Sequence, residues 1–173
     1  MNISFKFFRP DILALFFIFL ISLPKRLIFP LNGIFAFNYD QGRDFLAVSN
    51  IIYEKDLVLI GQTTGLQGIF YGPWWYYFLA PLVFVSGGDP QKVAIFFAIL
   101  GVITVVATYL LLKALTNNLL ISFSLSFVAA TSILWMFGPI HIWHPSLTPF
   151  FLIVLIYILH KIASHSNPLY FLF

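Results

Sequence analysis

From Val93 to Leu112 the chain carries no charged side chain. A helix of that length is what a bilayer demands, because crossing a hydrocarbon core ~30 Å thick takes about 20 apolar residues. The run has company. Asp11 to Phe29 precedes it, Leu119 to Gly138 and Leu147 to Leu159 follow it, and a further apolar stretch begins at Pro168 and runs to Phe173. With 61% hydrophobic and 9% charged residues and a mean hydropathy of +0.97, the chain lies far from soluble domains. The expected fold is all-α, a polytopic transmembrane helical protein forming one module over residues 1–173, with about four full spans and the start of another at 168.

The first stretch follows Lys6 and Arg9, as the hydrophobic part of a signal peptide would. Pro24-Lys25-Arg26 stands where small residues would mark a cleavage site, so an uncleaved span is expected, with Lys25 and Arg26 snorkelling to the interface. The net charge of +3 comes from nine Lys and Arg scattered along the chain, only Lys25 and Arg26 being adjacent, without the basic run that a nucleic-acid surface needs. The absence of cysteine excludes disulfides, thiolate metal sites and cysteine nucleophiles.

Orientation turns on Gly72 to Ser86, which is short for a span and is interrupted by Pro81. If this stretch lies in the interface, Lys6, Arg9, Lys113 and Lys161 are all cytoplasmic, and Asp40, Asp44, Glu54, Asp56 and Asp89 are all outside. If it crosses, Lys113 and Lys161 fall outside, against the positive-inside rule. The interfacial reading is preferred, and Trp74, Trp75, Tyr76 and Tyr77 fit it, because amphipathic rings collect at headgroup level. The location is then the cell membrane, with a cytoplasmic N-terminus.

The outer loop from about Pro30 to Gln91 holds nearly all the polar chemistry, with interfacial helices near 40–54 and 72–86. Asp40, Arg43, Ala47, Asn50 and Glu54 recur at helical spacing, with Phe45, Val48 and Ile52 on the opposite side. This pattern predicts a helix lying flat on the membrane, capped by Asn38 or Asp40. Gly61, Gly65, Gly68 and Gly72 then predict a mobile, turn-rich link.

Each polar group has a chemical and a structural reading. Asp40 can be a general base for an acceptor hydroxyl or a helix cap. Arg43 can hold a phosphate through its planar fork or pair with Asp44. The aromatic run Trp74-Trp75-Tyr76-Tyr77 can stack on a sugar or line a lipid entrance, or simply anchor the interface. His141 and His144, in a second outer loop, can bind an anion or a metal, or serve as interfacial polar groups. His160 and His165 fall in a cytoplasmic joint with no catalytic role expected. Phosphate-cradling glycine loops, serine nucleophile elbows and zinc-protease motifs are absent.

The order of features is Asp40-Gln41-Gly42-Arg43 after the first span, then an interfacial helix, Gly72-Pro73-Trp74-Trp75-Tyr76-Tyr77, and Gly87-Gly88. In this order the chain resembles the N-terminal part of a C-type multi-spanning glycosyltransferase of the family 39 kind, the superfamily of protein O-mannosyltransferases and bacterial aminoarabinose transferases. The resemblance implies a polyprenyl-phosphate-linked sugar donor, a lipid, glycan or protein acceptor on the outer face, and inversion at the anomeric carbon. It makes Asp40 the catalytic base and Arg43 a donor-phosphate contact, with Asp44, Trp74, Tyr77, His141 and His144 as further substrate contacts. Gln41 stands where the family often has a second acid, and His141, His144, Ser146 and Thr148 stand where it often has an acid in the second outer loop. The expectation is therefore no cofactor and no metal site. The rivals are a non-catalytic flippase or transporter subunit and a structural fragment of a larger assembly.

Overall fold

The computed structural model describes residues 9–132 and 141–164. It is all-helical among these residues, with isolated bridges only at Ala36–His141 and Thr63–Phe70. The helices are α1 (Arg9–Leu31), α2 (Tyr39–Ser49), α3 (Trp74–Ser86), α4 (Pro90–Thr116), α5 (Leu119–Thr131) and α6 (Thr148–Ser164). Three segments are long and apolar enough to cross a membrane: Arg9–Leu31, Pro90–Thr116, and His144–Ser164, which joins a 3-10 turn to α6. The protein is thus an all-α membrane protein. The predicted segment from Pro168, the end of the Leu119 to Gly138 stretch, Lys6 and His165 lie outside the described residues.

Helices α1 and α4 are antiparallel and pinned at both ends. At one end Asp11 Oδ1 accepts from Lys113 Nζ at 2.9 Å and from the Tyr109 hydroxyl at 2.7 Å. At the other, Gln91 Nε2 donates to the carbonyls of Pro30 at 2.9 Å and Leu31 at 3.2 Å. The chain therefore leaves α1 and enters α4 at the same end of the bundle, so α3 does not cross between them. Asp89 caps α4 by accepting from Gln91 N, and Pro90 supplies the preset φ of a first helical residue. The Asn117–Asn118 turn reverses the chain: Asn117 takes a left-handed φ of 49° and Asn118 caps α5.

Packing between these helices follows the rule for lipid, where burial from water is no driving force and close backbone approach is. The buried face of α1 is a stripe of Asp11, Ala14, Ile18, Ser22, Arg26 and Pro30. Residues Ser122, Ser126, Ala129 and Ala130 form the buried face of α5, small enough for the backbones to come close. The opposite face of α1, with Ile12, Leu13, Phe16 and Phe17, stays exposed for lipid.

Arg26 does not snorkel. Its side chain is buried, with Nη1 donating to Ser22 Oγ at 2.8 Å and to the Ala130 carbonyl at 3.1 Å, and Nη2 to the Ala129 carbonyl at 3.1 Å. The reason is that α5 has 13 residues and ends at Thr131, only about 20 Å from its start. The last carbonyls of a helix lack intrahelical donors, and lipid supplies none. The guanidinium, with its fork of donors, satisfies them.

Candidate functional site

At the Gln91 end of the bundle the first loop folds onto α3 and α4. Helix α2 starts with a capping box: the Asn38 side chain accepts from the backbone of the first turn, and Gln41 Oε1 accepts from Asn38 N at 3.0 Å. Asn38, not Asp40, is thus the cap. Gln41 is 5% exposed and completes that box. The buried face of α2 is Gln41, Asp44, Phe45 and Val48. Phe45 and Val48 pack with Trp75, Leu79, Val93 and Phe97, so protein rather than lipid covers the apolar side of the helix predicted to lie flat on the membrane. Beyond Ser49 the helix widens into a π turn, Asn50–Glu54, which Lys55 ends with a left-handed φ of 58°.

That packing puts a carboxylate in the interior. Asp44 is 1% exposed; its Oδ1 accepts from Arg43 Nε at 3.1 Å and Nη2 at 2.9 Å, and its Oδ2 accepts from the Trp75 indole at 2.7 Å. A buried charge survives only with such partners. The remaining fork of Arg43 reaches Asp40 Oδ1 through Nη1 at 3.1 Å, and the Asp40 side chain is 51% exposed. Burial alone would lower the Arg43 pKa, but the hydrogen bond and charge of Asp44 hold it above its ordinary value. Burial, then the Asp44 charge, push the Tyr76 phenol above its ordinary value, against the opposing effect of Arg43. Tyr76 therefore stays protonated.

The second loop joins the same cluster through His144. Its Nδ1 lies 2.9 Å from Gln62 Nε2, and its ring lies 4.9 Å from Tyr71 and 5.9 Å from Trp75. With the Gln62 amide donating to Nδ1, the neutral imidazole carries its proton on Nε2. Gln62 is 4% exposed and its Oε1 has no partner among the described residues. The segment carrying it, predicted from its glycines as a turn-rich link, closes as a hairpin: Gly61 N donates to the Tyr71 carbonyl and Tyr71 N to the Gln62 carbonyl, both at 2.9 Å. A Cβ on Gly61 would clash with the carbonyl oxygen of Gly72, which reserves that position for glycine.

Of the site residues proposed from sequence, Asp40, Arg43, Asp44 and His144 come together. Trp74 and Tyr77 stand at the edge of this cluster, 48% and 39% exposed: the Trp74 ring lies edge-on to Trp75 at 6.0 Å, and the Tyr77 hydroxyl donates to the Val58 carbonyl at 2.9 Å. His141 enters through its backbone, which bridges to Ala36 and accepts from Ser146 Oγ at 2.9 Å. Sequence reasoning weighs Trp75 and Tyr76 only as members of the aromatic run and misses Gln62 and Tyr71. The polar and apolar positions of α2 mark its buried face, but only the packing of α3 shows which two rings of the aromatic run meet it. Among the described residues no group of three or more His, Asp or Glu side chains is placed to hold a metal ion. No protein-family model, curated protein or solved structure matches this chain.

Proposed function

We propose that the protein transfers a glycosyl group from a polyprenyl-phosphate-linked sugar to an acceptor hydroxyl at the outer face of the cell membrane, its N-terminus being cytoplasmic. The observation that carries this reading is the Asp40–Arg43–Asp44 arrangement: a guanidinium fixed on one side by a buried carboxylate and on the other paired with a half-exposed one. The pair with Asp40 is the weaker, since exposed ion pairs contribute only about 0–1 kcal/mol. A donor phosphate can therefore take over Arg43 Nη1 and release the Asp40 carboxylate. The acceptor oxygen then forms its bond to the anomeric carbon as Asp40 takes the hydroxyl proton, and the bond from that carbon to the phosphate oxygen breaks with its electron pair going to the phosphate. Arg43 stabilises the charge that develops there.

Asp40→Asn is the direct test, in membranes carrying the protein and a radiolabelled polyprenyl-phosphate sugar. Because Asn38 supplies the cap, the amide leaves the start of α2 unchanged. Loss of a general base slows transfer by about a hundredfold to ten-thousandfold. Retention of more than about a tenth of the rate would remove Asp40 from the chemistry on that scale. The rival reading, a non-catalytic flippase or transporter subunit, gains from Arg26, an ionisable group buried inside the bundle. The carbonyls of Ala129 and Ala130 give Arg26 a structural role that needs no cargo.

A further inference from the structure

Away from the polar cluster, α3 and the first turns of α4 enclose a groove of about 430 Å³, within the size range of sites that take a small ligand. Its walls are Pro81, Leu82 and Val85 of α3 and Val93 and Phe96 of α4, and Lys92 stands at its polar end. Val85 is 84% exposed and Phe84 beside it 65%, so this side of α3 needs an apolar covering. The polar end is not simply cationic. Lys92 Nζ lies 3.7 Å from Asp89 Oδ2 and 3.3 Å from the Ser86 carbonyl, with the two charged side chains 64% and 40% exposed. Asp89 Oδ1 is taken by Gln91 N, which leaves Oδ2 facing the loosely held ammonium. The groove is thus an apolar trough with Lys92 at its rim, and Asp89, outside the lining itself, stands 3.7 Å beyond that ammonium at the end of the bundle where the loop helices gather.

We infer that this groove binds phosphatidylethanolamine, one acyl chain lying between α3 and α4, the phosphate on Lys92 and the ammonium on Asp89 Oδ2. The charge pattern selects the lipid: phosphatidylethanolamine offers a phosphate to Lys92 and an ammonium to Asp89, whereas phosphatidylglycerol offers Lys92 the same phosphate and Asp89 no cation. The bound lipid braces α3, which carries Trp75 against Asp44. This inference stands apart from the glycosyl-transfer reading.

The test is native mass spectrometry of the full chain purified in mild detergent, offered equal amounts of phosphatidylethanolamine and phosphatidylglycerol with the same acyl chains. The wild type is expected to retain phosphatidylethanolamine in preference. Lys92→Gln should lower retention of both lipids about tenfold, the low end for losing a charge-assisted hydrogen bond. Val85→Trp, at an exposed position, should block the groove and also lower both. Asp89→Asn keeps the cap of α4 and should erase the preference between the lipids. Equal retention of the two lipids by the wild type, unchanged retention in Lys92→Gln or Val85→Trp, or a preference that survives Asp89→Asn would overturn the proposal. Spreading the test over three positions keeps it independent of any one variant's failure to fold.

Discussion

At Asp44 a full negative charge is kept from water by a guanidinium and an indole, so each donor can be removed in turn and the cost read. Asp44→Asn should lower stability by about 3 kcal/mol, the lower end for breaking a buried pair, because Arg43 is partly exposed and can turn to water and Asp40. Trp75→Phe keeps most of the ring and leaves Oδ2 without its donor, a loss of about 1–3 kcal/mol. Thermal unfolding in detergent measures both. Asp44→Asn melting with the wild type would mean that the charge is not held as described. Gly61→Ala drives a Cβ into Gly72 O and should open the hairpin, exposing Gln62 and His144. Faster amide exchange across residues 61–72 would report it, and wild-type protection there would contradict the close approach.

Among the elements, α5 depends most on something outside itself. Arg26 supplies donors to the carbonyls at its end, and Arg26→Met should raise hydrogen exchange around Ala129–Ser132 by about tenfold or more, since bonds to charged groups contribute roughly 1.5–3 kcal/mol each. Exchange in the middle of α4 should not change; if α5 were also unaffected, the capping role would be lost. The sequence leaves α1 and α4 fully readable because a long apolar run has one outcome in a bilayer. Arg26 was not readable, because its burial is decided by carbonyls on a helix far along the chain, and the local pattern shows only a cation near a span's end. The site divides the same way. Asp40 and Arg43 are found by their position at the start of an amphipathic helix, and Asp44 is visible as a possible partner of Arg43. The burial of Asp44 and the choice of Trp75 and Tyr76 over Trp74 and Tyr77 depend on how α3 is rotated against α2, which spacing within either helix does not set.

For the whole molecule, the antiparallel pinning of α1 and α4 ties the orientation of every loop to one choice. Thr116 lies beside the Asn117–Asn118 turn and Tyr39 at the start of α2, at opposite ends of the bundle and both exposed. With no native cysteine to interfere, Tyr39→Cys should react with an impermeant reagent in intact cells and Thr116→Cys should not. The reverse pattern would invert the orientation, and equal labelling would contradict the arrangement of α1 against α4. The long-range polar bonds also set a clock on biosynthesis. Asp11 meets Tyr109, 98 positions later, and Arg26 meets Ala130, 104 positions later. At a synthesis rate of about 5–20 residues per second, the first helix waits roughly 5–20 s before those partners are made. During that interval neither charge can settle in hydrocarbon, so α1 has to linger at the insertion machinery or the headgroup layer until α4 and α5 arrive, and the order of translation becomes the order of assembly.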